Sequence, residues 1–228
     1  MFSDYNNTFD TLKTDDPLSA WRHLALSIKA HPQDLKLHTQ RIMLAMNLQL
    51  QPYLAGALQD FFVTLKTTGR PLREKMFILV SPLLDNNSRN YFKQWLDEDT
   101  DANLECNYYP GAIFISDSCQ KNLITNDEKE DELSLLDSFL NENYSNTVDK
   151  AHYCIAYGNI EYAQKLLELE IALGQQGQQQ SLVEQELLKI YYHSQNKSAL
   201  DAMSEKMLNN NRVLSADWKK VQNIAKEW

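Results

Sequence analysis

The sequence predicts an all-α protein made of antiparallel helical hairpins, either stacked in a solenoid or gathered into two helical lobes. Three observations lead there. Apolar residues recur at i, i+4, i+7 and i+8 in three segments, beginning at Leu54, Leu72 and Val183, with leucine at i+11 in the first two and Ser194 in the third, which is the spacing of one helix face. Proline or a cap-forming polar residue stands at the head of most periodic segments. Glycine is scarce: six in 228 residues, at 56, 69, 111, 158, 174 and 177.

The elements follow in order. Asp16-Pro17 is a helix start, with an N-cap carboxylate before proline at the first helical position. Leu18, Trp21, Ala25 and Ile28 then share a face. His31-Pro32 ends that helix, and a second carries Ile42, Ala45 and Met46. Gln51-Pro52 opens a third, with Leu54, Leu58, Phe61, Phe62 and Leu65 on its face. Gly69-Arg70-Pro71 stops it and starts a fourth, whose stripe is Leu72, Met76, Leu79, Val80 and Leu83. Pro82 lies within that stripe and predicts a break. Asn86-Asn87-Ser88 is expected to cap a fifth helix bearing Phe92, Trp95 and Leu96.

The helical period is lost over residues 97–126. Asp97 to Asp101 is a charge run, Asn107 to Gly111 reads as a turn, and Ala112 to Ile115 reads as either a short strand or an apolar clip. The period returns at Leu133, Leu136, Phe139 and Leu140. Asn146-Thr147 caps a helix ending near Tyr157. Gly158-Asn159 turns the chain, and Ile160, Ala163, Leu167 and Ile171 line the next face. Gly174 to Gln180 reads as a low-complexity loop. Helices follow through Val183, Leu187, Ile190, Tyr191 and Ser194, through Ala199, Met203 and Met207, and through Trp218, Val221, Ala225 and Trp228. This divides the chain into an N-terminal helical lobe (1–97), an acidic linker (98–131) and a C-terminal lobe (132–228).

Composition narrows the function. The net charge of −9 argues against a nucleic-acid binder, since phosphate neutralisation needs a basic face. Residues 97–137 hold twelve carboxylates against two lysines, a net of −10, so the rest of the chain carries +1. That segment is expected to be the most protease-sensitive internal stretch over 97–131. No run approaches the roughly 18 apolar residues of a spanning helix, and the polar start has no secretory pattern, so no membrane insertion is expected. Three cysteines (106, 119 and 154) without regular spacing fit reduced thiols and a cytoplasmic setting.

No catalytic or cofactor motif stands out. Phosphate-cradling loops and nucleophile elbows need clustered glycines, and only Gly174 and Gly177 lie close together. His23, His31, His38, His152 and His193 show no metal-ligand spacing and read as surface or capping residues. Glu168 and Glu170 read as a solvated helix face. The expectation is a chain that is not an enzyme, with no cofactor and no metal.

Residues 151–167 and 187–203 align without gaps at an offset of 36, near the ~34 of tetratricopeptide repeats. Both have an aromatic end to the first helix, a small-polar turn (Gly158-Asn159 and Ser194-Gln195) and a small residue on the second helix (Ala163 and Ala199). On these residues, and on Ala156-Tyr157-Gly158, Leu187 to Tyr192 and Trp218, the stretch from Thr147 to about Val221 resembles the cytoplasmic tetratricopeptide-like tail of FimV-type proteins. Residues 17–97 resemble further degenerate repeats. The resemblance implies scaffolding linked to type IV pilus assembly, twitching motility and polar organisation. The chain departs from full-length members in having no peptidoglycan-binding LysM segment and no membrane helix.

Tyr153 and Tyr157 lie one turn apart, and the alignment maps them to Lys189 and His193, off the apolar stripe of their helix. With Tyr192, these five residues form the expected partner-binding face, where tyrosine supplies apolar area and Lys189 meets a carboxylate. The expected function is therefore a non-enzymatic adaptor or scaffold for a protein or peptide partner. The alternative is an acidic inhibitor or chaperone that binds a basic partner through residues 97–137. High salt separates the two, because only the second depends on long-range charge. The sequence sets no oligomeric state.

Overall fold

A computed structural model describes residues 16–47, 50–66, 69–98, 109–114, 136–173 and 178–228. The described residues are helical, with turns between helices and no strand, as the periodicity predicts. Among them, no helix is long and apolar enough to cross a membrane. They separate into two compact units: residues up to 114 together with Ala156–Gly158, and residues 136–155 with 159–228.

In the first unit, α1 (Pro17–Ala30) begins where Asp16 accepts the Ser19 amide at 3.0 Å, and it ends at His31. Trp21, Leu24, Ala25 and Ile28 are buried, whereas Leu18 of the expected face is exposed. Asp34 caps α2 (Leu35–Ala45) through the Lys36 and Leu37 amides. A tight 3-10 turn at Gln51–Tyr53 leads into α3 (Leu54–Leu65). From Leu54 to Phe62 every residue of α3 is buried, so this helix is enclosed on all sides.

Helix α4 (Arg70–Val80) gives way to a 3-10 turn at Ser81–Leu83, the break that Pro82 predicts. Its buried row is Arg73, Met76 and Val80, while Leu72 and Leu79 of the expected stripe are exposed. Helix α5 (Asn86–Glu98) is capped by Asp85, which accepts the Asn87 and Ser88 amides, and not by Asn86 to Ser88 themselves. Each helix packs on the next, from α1 to α5. The core runs through Trp21, Ile42, Leu58, Phe61, Phe62, Val80 and Phe92. Phe62 sits edge-on to Phe92 at 5.3 Å and to Trp95 at 5.4 Å. A buried side chain of this kind contributes roughly 1.5–3 kcal/mol.

In the second unit, α6 (136–143) buries Leu140. Asn146 caps α7 (Thr147–Ala156) through the Asp149 amide at 2.8 Å, as expected. Gly158 follows with φ +91°, a conformation that side chains resist, and α8 (Ile160–Leu173) buries all four expected residues: Ile160, Ala163, Leu167 and Ile171. Helix α9 spans Gln178–Ser194, so the last three glutamines of the expected loop are helical. Asn196 caps α10 (Lys197–Asn209), and Ser215 caps α11 (Ala216–Ile224). Helix α9 packs on α8, α10 and α11.

The 36-residue alignment slips at the turn. The positive-φ residues are Gly158 and Gln195, 37 positions apart, and the helices after them begin at Ile160 and Lys197. Ala199 is consequently only half-buried, and Leu200 takes the enclosed place. Further along, Met203 and Met207 are buried like Leu167 and Ile171. Two other expectations fall only partly on the described residues. Ala112 to Phe114 form no strand, and Ile115 lies outside the described residues. Most of the 98–131 segment, including Cys106 and Cys119, is also outside them, but its described part, 109–114, is built into the first unit.

Candidate functional site

Two helices of the first unit carry buried charges. Helix α2 presents His38 and Arg41, three residues apart and so on one face, and α3 presents Gly56 and Asp60, four apart. Arg41 Nη1 meets Asp60 Oδ2 at 2.6 Å, with both side chains at most 1% exposed. The guanidinium lies over the Trp21 ring, 3.9 Å from its centroid.

This pair holds residues 109–114 by their backbone. Arg41 Nη2 donates to the Gly111 carbonyl at 2.5 Å. Asp60 accepts the Ile113 amide at 2.9 Å and the Phe114 amide at 2.8 Å. The segment opens with a turn in which Ala112 donates to the Tyr109 carbonyl at 3.0 Å. Proline and glycine occupy its two central positions, and Gly111 has φ +85°, the pattern of a type II turn. Residues 112–114 are therefore held as a clip through their backbone and form no strand.

The clip is enclosed by close backbone approaches. A Cβ on Gly56 would lie 2.6 Å from the Ala112 nitrogen, so α3 runs directly against the clip. On the other side, Gly111 donates to the Tyr157 carbonyl at 3.2 Å, and the Trp21 indole donates to the Ala156 carbonyl at 2.9 Å. Tyr53 stacks on Trp21 and meets Tyr157 edge-on, both at 5.4 Å. Tyr109 stacks on Phe92 at 5.6 Å. Phe114 tilts against His38 at 5.9 Å.

Burial dominates the electrostatics. It pushes the Asp60 carboxyl up, against the pull of Arg41 and the two clip amides. It lowers Arg41 to about 10, which leaves the guanidinium charged at neutral pH. His38 is buried at 1% exposure, contrary to the surface or capping role expected of it. Its Nε2 donates to the Pro32 carbonyl at 2.9 Å, while Nδ1 has no hydrogen-bond partner among the described residues. Burial also lowers the His38 pKa. A buried ion pair adds little stability over a well-packed apolar contact, and here Nη1 and Nη2 of Arg41 are bonded while its Nε has no hydrogen-bond partner among the described residues.

The five residues expected to bind a partner are distributed otherwise than the alignment implies. Tyr157 belongs to the first unit, beside Tyr53. Tyr153 packs against Phe139 at 5.3 Å and Tyr144 at 5.4 Å. Lys189 donates to Glu186 at 2.6 Å, and Glu186 also pairs with His152 at 3.2 Å. Tyr192 meets His193 at 5.3 Å and Trp228 at 6.3 Å. Lys189, Tyr192 and His193 thus share α9, and a carboxylate ligand at Lys189 would compete with Glu186. Glu168 is not simply solvated, because it accepts the Tyr191 hydroxyl at 2.7 Å.

Sequence reasoning missed Arg41 and Asp60. One signal was present: a helix as apolar all round as 54–62 must bury any acid it contains. Cys154 is buried, and desolvation pushes its thiol up to about 12, so it is protonated and unreactive. No group of three His, Cys, Asp or Glu among the described residues is placed to hold a metal. Comparison of the chain with protein-family models, curated proteins and solved structures finds no match.

Proposed function

We propose that this chain is a non-enzymatic scaffold that holds segments of other proteins, with its helices paired in the tetratricopeptide-like manner within each unit. One observation carries the reading. The first unit already holds a six-residue segment, 109–114, through Asp60 to two backbone amides and Arg41 to a carbonyl. Main-chain hydrogen bonds are a recurrent source of affinity for bound peptide segments. The link to type IV pilus assembly and polar organisation rests on the resemblance of the 147–221 stretch and belongs to the same proposal. So does the face of Tyr153, Tyr157, Lys189, Tyr192 and His193, with Glu186 as an internal competitor for Lys189.

The test is selection of a displayed random-peptide library on the immobilised full chain, at low and at high salt. The reading expects families of related apolar-aromatic sequences to enrich over the denatured chain and to persist in high salt. No enrichment at either salt concentration would remove it. Enrichment only of basic sequences, and only at low salt, would shift the function to the acidic segment.

A further inference from the structure

We propose that the 109–114 clip is a tethered stand-in for a foreign ligand, and that the groove formed by α1, α2 and α3 takes protein segments of the form aromatic-Pro-Gly-small-apolar-aromatic. The inference rests on the segment-binding reading above and names the ligand class of that site.

The polar contacts of the groove address main chain alone. Asp60 reads two consecutive amides and Arg41 reads the carbonyl two residues before the first of them. Any segment with the same turn offers those three groups. Selectivity comes from shape. The Gly56 backbone leaves no room for a wider turn, and Trp21 and Tyr53 crowd Gly111, where an added Cβ would lie 2.9 Å from the Trp21 ring. A φ of +85° at that position selects glycine, and proline is favoured before it. The aromatic ends have their own seats, Tyr109 on Phe92 and Phe114 on His38.

The floor of the groove suits exchange. An empty apolar floor would collapse or expose hydrocarbon, whereas Arg41 and Asp60 regain hydration when a segment leaves. As a permanent staple, the pair gives less than apolar packing would. As the floor of an exchangeable site, it lowers the cost of the open state. The segment belongs to the same chain as its groove, so a foreign segment binds with its affinity reduced by that competition.

The experiment uses the intact chain and a synthetic peptide, Tyr-Pro-Gly-Ala-Ile-Phe, blocked at both ends. Hydrogen exchange of the Ile113 and Phe114 amides is followed with and without millimolar peptide. Displacement of the clip is expected to speed their exchange at least about tenfold, with core amides such as Leu58 unchanged. A peptide with valine in place of glycine should have no effect. The Gly111→Val chain, checked for fold by circular dichroism, should bind labelled peptide at least about tenfold tighter than wild type, because its own clip no longer competes. Adding Asp60→Asn should reverse that gain. Clip exchange that is unchanged by peptide, or a folded Gly111→Val chain that binds no better than wild type, overturns the proposal. So does a dimer formed by swapping clips between copies, which would make the groove a self-assembly site. If this peptide fails while library selection enriches other sequences, the ligand class is wrong and the segment-binding reading stands.

Discussion

Arg41 and Asp60 meet at 2.6 Å inside the first unit with almost no solvent exposure. Removing one member strands the other charge. Asp60→Ala should therefore cost about 3–5 kcal/mol, read by urea denaturation. Arg41→Met combined with Asp60→Leu should cost less than the two single substitutions together. Additive losses would show that the two charges are not energetically coupled.

Gly158 has φ +91°, and a Cβ there would run into the Ala112 carbonyl. Gly158→Val should destabilise by about 2 kcal/mol or more through backbone strain and that collision together. An unchanged melting temperature would mean that the 156–158 turn does not seat against the clip.

Ala163 is fully buried on α8, and protein interiors are close-packed. Ala163→Leu should cost roughly 1–3 kcal/mol by overpacking. Ala199→Leu should cost less, because Ala199 is only half-buried. Equal losses in thermal unfolding would restore the 36-residue equivalence that the structure breaks.

Glu186 gives a pH signature. Burial alone would raise its carboxyl, but His152 and Lys189 outweigh burial and hold it at about 2, against an ordinary 4.5. The unfolded chain therefore takes up a proton first as pH falls. The stability from this group is fully present above pH 4.5 and is lost on the way down to about 2. The stability difference between wild type and Glu186→Gln should shrink through that window, and a constant difference would count against the pairing.

His38 acts at a higher pH. Burial lowers its pKa from 6.5, against the pull of the Pro32 carbonyl, Asp60 and Asp34, while Arg41 adds to the lowering. Below pH 6.5 the unfolded chain binds a proton that the folded chain refuses, so stability falls as pH drops, until the folded-state pKa is reached. His38→Gln should flatten that decline, and an NMR titration should find the His38 ring neutral where an exposed histidine is half-protonated.

Much of the fold was legible because helix periodicity and caps are local. The α8 stripe read correctly, since every residue in its buried row is apolar or small, and the α3 stripe read correctly from Leu54 to Phe62, although Leu65 is only partly buried and the polar Gln59 and Asp60 are buried beside it. The α4 stripe read one residue out of place: Arg73 occupies the buried row, and hydrophobic counting skips a charged side chain with an apolar stem. The clip was legible only as an alternative. Four apolar residues in a row fit a strand as well as a clip, and the choice is made by Asp60, 53 positions from Ile113. The repeat misled at its turn, where the second hairpin runs its first helix on to Ser194 and places its positive-φ residue and its second helix one residue later than the first hairpin does.

Ala156–Gly158 bears on the order in which the molecule completes itself during synthesis. The Ala156 carbonyl receives the Trp21 indole, and the Tyr157 carbonyl receives the Gly111 amide. Until residue 158 has left the ribosome, both donors lack their acceptors. By then α6 and most of α7, which belong to the other unit, have already emerged. The first unit thus receives its last contacts from a late-arriving tripeptide, after part of the second unit has been synthesised.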